Sequence, residues 1–99
     1  MIKDLKEMVG KVLLVGLSYE NEHGVITEQT EYCGTVIGVE NDCVVVKPSD
    51  VDQCAVLPLI LDAYEKARPG VYSLRANGKT VKDPDYTCMF IVTDEKEEQ

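Results

Sequence analysis

Residues 11–19, KVLLVGLSY, are continuously apolar from Val12 to Val15 and again at Leu17. Such a run fits a strand buried on both faces, and therefore central in its sheet. Gly16, inside it, predicts a strong bend or a place where another backbone comes close. Four similar runs follow at residues 34–39 (GTVIGV), 43–47 (CVVVK), 71–74 (VYSL) and 88–93 (CMFIVT). Between the runs stand Asn21-Glu22-His23-Gly24, Asn41-Asp42, Arg68-Pro69-Gly70, Asn77-Gly78 and Asp83-Pro84-Asp85. These supply left-handed or proline-fixed turns. The pattern predicts a mainly all-β fold: a small SH3-like or Sm-like, partly open barrel, or a compact sandwich, of about five or six antiparallel strands.

Working outward, Ile2, Leu5, Met8 and Val9 recur at helical spacing. They predict a short N-terminal helix that caps the open end of the barrel before Gly10 stops it. Residues 25–33 alternate weakly, as a long solvated strand does, and Gly34 introduces the second half of a bent strand. Asn41-Asp42 predicts a tight hairpin. In residues 55–67 (AVLPLILDAYEKA), Pro58 excludes a helix interior or a central strand. The reading is an edge strand before Pro58, then a short helix over residues 59–67. Asn77-Gly78 predicts a second hairpin, and residues 88–93 the closing strand. One domain over residues 1–93 and a disordered acidic tail over residues 94–99 complete the organisation.

Ninety-nine residues suffice for one core without staples. The apolar runs fall short of a membrane span, and residues 1–10 lack a signal-peptide core, so the expected location is the cytoplasm and no membrane association is expected. Cys33, Cys43, Cys54 and Cys88 contain no C-x-x-C, with His23 the one histidine to join them. They read as reduced, mostly buried small hydrophobes. No metal and no cofactor is expected.

Eighteen acidic residues against ten basic give a net charge of −8. That argues against nucleic acid, whose affinity depends on Lys and Arg displacing counterions. It favours a basic protein partner.

Catalytic signatures are absent. His23 sits in a loop beside Glu20 and Glu22, where an exposed imidazole is ordinary, and E-x-E-H lacks a second ligand cluster. Asp83 and Asp85 would form an acid and base pair only inside a cleft; turn initiation and acceptance of a backbone N–H explain them as well. The glycines never group as a phosphate loop. No catalytic residue is assigned.

The combination of GKVLLVGLSY, Glu28-Gln29 with Tyr32 and Gly34, Leu57-Pro58, PGVYSL and GKTVKDPDY resembles a group of small bacterial single-domain β-rich proteins. The resemblance implies the fold and no activity.

The leading functional expectation is a non-catalytic acidic protein-binding domain, in its sharpest form an immunity-type protein that neutralises a basic toxin. Its contact residues would be Tyr19, Glu20, Glu22, Glu28, Glu31, Asp83, Asp85 and Tyr86, which combine loop carboxylates with amphipathic tyrosines. The alternatives are a regulatory domain that binds a small molecule or forms a homo-oligomer, and, third, a small hydrolase using scattered carboxylates.

Overall fold

The computed structural model describes residues 4–49, 51–74 and 78–93. Eight strands form: β1 (Val12–Glu20), β2 (Ile26–Val39), β3 (Cys43–Pro48), β4 (Ala55–Pro58), β5 (Tyr64–Lys66), β6 (Val71–Ser73), β7 (Thr80–Lys82) and β8 (Tyr86–Thr93). Six of them make one sheet in the order β4-β3-β2-β1-β8-β5, curled into a half-barrel, and β6 pairs with β7 in a small second sheet. The all-β expectation holds.

Continuous apolarity makes β1 central. It is flanked by β2 and β8, and Leu13, Leu14 and Val15 are buried to either side of the sheet. The concave face gathers Leu13, Val15, Val36, Val44, Val46, Leu57, Tyr64, Tyr86 and Cys88 into one core, against which Leu17, Tyr32 and Phe90 pack. Pro58 ends an edge strand, where a missing N–H costs no ladder bond. The Asn41-Asp42 turn closes β2 onto β3, with Glu40 N–H donating to the Cys43 carbonyl over 2.8 Å.

Gly34 marks the tightest strand approach. A Cβ there would lie 2.5 Å from the Lys47 carbonyl oxygen and 2.8 Å from Pro48 Cα. At Gly16, where the sequence predicts either a strong bend or a close backbone approach, a Cβ would meet Met89 Cε at 3.5 Å and the Cys88 carbonyl oxygen at 3.8 Å. Both are ordinary contacts, so close approach is not the reason for the glycine.

One expectation is narrowed and two are corrected. The short N-terminal helix, a turn or two by its spacing, is a single 3-10 turn, Leu5–Met8, with the Asp4 carboxylate accepting from Lys6 N–H. Leu5 and Met8, three apart, still enter the core. Gly10 and Lys11 then engage Val36 at once, with Gly10 N–H to the Val36 carbonyl and Val36 N–H to the Lys11 carbonyl, which leaves no room for a longer helix. Second, residues 59–67 hold a 3-10 turn, Leu61–Ala63, followed by β5. There Tyr64 is buried, donates its hydroxyl to the Pro58 carbonyl at 2.7 Å and meets Phe90 edge-on at 5.7 Å between ring centroids. Pairing with β8 outweighs local helix propensity.

Third, the sheet is mixed, because β8 runs parallel to β1 in the register Leu13↔Tyr86 to Glu20↔Thr93. Parallel neighbours need a long crossover, and here most of the chain supplies it. As the second-hairpin expectation requires, β6 and β7 pair antiparallel, from Val71↔Lys82 to Ser73↔Thr80. Asn77 lies outside the described residues, as do Ile2 and the tail at 94–99. No helix among the described residues is long and apolar enough to cross a membrane.

Candidate functional site

Local chemistry builds one end of the sheet. Asn21 Oδ1 accepts from His23 N–H at 2.8 Å and Val25 N–H at 3.1 Å, folding the link between β1 and β2. Asn21 N–H donates to the Val25 carbonyl, and Gly24 adopts φ +78°. A bulge follows: Tyr19 opposes Glu28, Glu20 opposes Ile26, and Thr27 is left over, its hydroxyl donating to the Tyr19 carbonyl. Bulges twist a strand and re-aim its side chains.

At this end Tyr19 has Glu28 and Val92 as its neighbours on one sheet face. The Glu20 carboxylate accepts from the Thr93 hydroxyl at 3.2 Å on the opposite face. Glu22 projects from the loop, exposed, with the His23 Nε2 at 3.9 Å. Glu31 opposes Gly16 on the outer face, beside Gln29 and Met89.

Tyr19, Glu20, Glu22 and Glu28 therefore lie at one end of the sheet, Tyr19 and Glu28 on one face, Glu20 on the other and Glu22 in the loop between the strands. Asp83, Asp85 and Tyr86 do not. They stand at the opposite end of β8, whose eight residues span about 25 Å. Their groups hold the fold together. Asp85 Oδ2 accepts from Val12 N–H at 2.9 Å, and its own N–H donates to the Val12 carbonyl at 3.0 Å. Asp83, at φ +52°, accepts from Gly70 N–H and donates back to the Gly70 carbonyl. Tyr86 is buried, and its hydroxyl donates to Glu7 Oε2 at 2.7 Å. This bond and burial push its phenol up to about 12. A single surface uniting all eight residues is thus replaced by two separate ends.

A signal for the acidic end lies in the sequence but shows only once the strands are placed. Between Lys11 and Lys47 the chain carries Glu20, Glu22, Glu28, Glu31, Glu40 and Asp42 and no Lys or Arg. β8 has no Lys or Arg either. The three adjacent strands β2, β1 and β8 therefore carry no Lys or Arg of their own, while Lys66, Arg68, Lys79 and Lys82 lie on or beside β5, β6 and β7.

All four cysteines are free thiols. Cys88 is buried, Cys33 and Cys43 are half-buried, and Cys54 is exposed, so burial is less general than the sequence reading had it. Burial pushes the Cys88 thiol up to about 12, leaving it inert as a nucleophile. Burial likewise raises the Tyr32 phenol to about 12, with Cys88 and Tyr19 adding to the effect. Among the described residues, no group of three or more His, Cys, Asp or Glu is placed to hold a metal ion. Elsewhere, an open hollow of about 420 Å³ lies beside the Leu5–Met8 turn, lined in part by Leu5, Lys6, Val39, Glu40, Leu59 and Leu61.

No family model, curated protein or solved structure matches the chain.

Proposed function

We propose that this half-barrel is a non-catalytic protein-binding domain that receives a basic partner at the end of the sheet formed by Tyr19, Glu20, Glu22 and Glu28. The observation that carries the reading is the placement of these carboxylates and an amphipathic tyrosine at one end of the sheet, on strands β1 and β2 and the loop between them, which hold no Lys or Arg. Carboxylates without nearby cations repel one another, and a cationic partner relieves that repulsion while being steered toward the site. Tyr19 adds a ring with a polar tip, the residue type that anchors interfaces. An immunity-type protein covering a basic toxin is the sharpest form of this reading. The free thiols fit a reducing compartment, and we take the cytoplasm as the place of action.

Selection of a displayed random-peptide library on the immobilised protein at about 50 mM salt tests the reading. Enrichment of Lys- and Arg-rich sequences is expected. Association of a selected peptide should slow by about tenfold or more in Glu20→Lys/Glu28→Lys, and its salt dependence should weaken. Enrichment of neutral or acidic sequences, or binding indifferent to the two reversals, overturns it.

The hollow beside the Leu5–Met8 turn favours a second reading, a small-molecule regulatory domain, because its size lies within the range of ligand pockets. Ligand-dependent stabilisation that Leu61→Arg abolishes would support this reading.

A further inference from the structure

Sheets end in edges, and the edge strand β5 covers only part of its neighbour. The β5 register runs from Tyr64↔Cys88 to Lys66↔Tyr86, so β8 continues from Met89 to Thr93 with no strand of the described residues on the side away from β1. Which main-chain groups point that way follows from the ladder. Val36 N–H donates to the Lys11 carbonyl, so Lys11 and, by the alternation of the β1–β2 ladder, Leu13, Val15, Leu17 and Tyr19 turn their main-chain groups to β2, and the residues between them turn theirs to β8. In the parallel ladder those residues bond Tyr86, Cys88, Phe90 and Val92, the β8 residues on either side of their register partners, so Thr87, and beyond β5 Met89, Ile91 and Thr93, direct N–H and C=O away from β1. Phe90 and Val92 direct theirs toward β1.

The side chains along this edge are apolar and solvated: Met89 is 66% exposed and Ile91 64%. An open, apolar strand edge is a template for another strand. Both ends of this one are acidic. Where β5 stops, a hollow of about 420 Å³ is lined by Asp62, Ala63, Glu65, Thr87, Cys88 and Met89. At the far end the Glu20 carboxylate touches the Thr93 hydroxyl.

Resting on the reading of an acidic binding domain, we propose that the Met89–Thr93 edge of β8 takes up an extended segment of the partner as an added strand, with apolar residues at alternate positions and Lys or Arg at its ends. The ladder supplies main-chain hydrogen bonds, and Met89 and Ile91 supply apolar contact on the outer face. A Lys or Arg entering the hollow lays its methylene stem along Met89 and brings its charge to Asp62 and Glu65. A second copy of this chain fits less well, since it would set Asp62, Glu65 and Glu20 of two chains near one another.

Amide hydrogen exchange on the whole protein tests the proposal, with a blocked peptide of alternating Val and Lys, about seven residues long, as the probe at low salt. Exchange at Ile91 and Thr93 should slow by tenfold or more, with Phe90 and Val92 unchanged. Ile91→Pro removes an outward donor without touching the β1 ladder and should abolish binding; if that variant fails to fold, the wild-type exchange pattern decides. Peptide binding that perturbs Tyr19, Glu22 and Glu28 without protecting Ile91 and Thr93 overturns the edge and leaves the acidic-end reading standing. Absence of peptide binding also overturns the edge, and library selection then judges the other reading separately. Protection of the same amides in a peptide-free dimer makes a second copy the occupant and overturns the proposal.

Discussion

Replacing Gly34 with alanine places a methyl group 2.5 Å from the Lys47 carbonyl oxygen, 2.8 Å from Pro48 Cα and 2.9 Å from Lys47 C. All three are backbone atoms, so no side-chain rotation relieves the clash. Ordinary separations are about 3.5 Å, so β2 and β3 must part locally by roughly 0.5 to 1 Å. Overpacking of this kind costs about 1 to 3 kcal/mol. Weakening a neighbouring bond such as Ser49 N–H to the Cys33 carbonyl, now 3.1 Å, adds about 1 kcal/mol. Alanine lowers the entropy of the unfolded chain, which offsets about 0.4 to 1 kcal/mol. The net expectation is a loss of about 2 kcal/mol, lowering Tm by roughly 8 to 16 °C in a domain of this size.

Gly16→Ala is the matched control. Its methyl would meet only Met89 Cε at 3.5 Å and the Cys88 carbonyl at 3.8 Å, and the methionine is exposed and free to turn. Only the entropy gain remains there, so Gly16→Ala should be neutral or more stable by up to about 1 kcal/mol. Urea unfolding of both variants measures the difference directly. A Gly34→Ala protein within about 0.5 kcal/mol of the parent, or a Gly16→Ala protein equally destabilised, refutes the assignment of close strand approach to position 34.

Further outcomes follow from the same contacts. Stability should fall as pH rises from about 9 toward 12, because the Cys88 thiol, raised from 9.0 to about 12, keeps its proton in the fold while the unfolded chain releases its own. Tyr32 and Tyr86, raised from 10.0 to about 12, extend the loss; urea midpoints against pH check this, and Cys88→Ala should remove most of the component that begins near pH 9, to which Cys43, also raised, adds the rest. Asp85→Ala should cost about 1.5 to 3 kcal/mol in thermal unfolding by stripping Val12 N–H of its acceptor, whereas Asp85→Asn keeps an oxygen there and recovers most of it. Tyr86→Phe should cost about 1 kcal/mol, the hydroxyl's bond to Glu7, and leave the affinity for basic peptides unchanged when titrated calorimetrically. In a native thiol titration Cys54 should react well before Cys88, whose modification should track unfolding.

Much of the fold was legible because its signals are local. The Asn41-Asp42 turn, the Asn21 loop and the Pro58 strand end each act within a few residues, and all three were readable. Harder to see was the stretch at residues 59–67. Its residues permit a helix, and the bonds that make Tyr64–Lys66 a strand are supplied by β8, far along the chain. The proposed acidic end was legible in part, because a single hairpin sets Tyr19, Glu20, Glu22 and Glu28 at one end of the sheet. That Asp85 accepts a backbone N–H fits the sequence reading, but that the donor is Val12, 73 residues away in the chain, was not written locally, nor was the bond from Tyr86 to Glu7 across 79 residues.

By itself, then, the sequence determined most of the segments that extend, where they turn and that the chain carries a net negative charge, since period-two apolarity and turn residues act over a few peptide units. Tertiary structure alone decided that the last strand runs parallel to the first, that Gly34 rather than Gly16 marks the close approach, and that, among the described residues, β5 pairs with only the first half of β8. Those outcomes depend on which distant backbones meet and in which direction, and neither is written in the periodicity of any one segment.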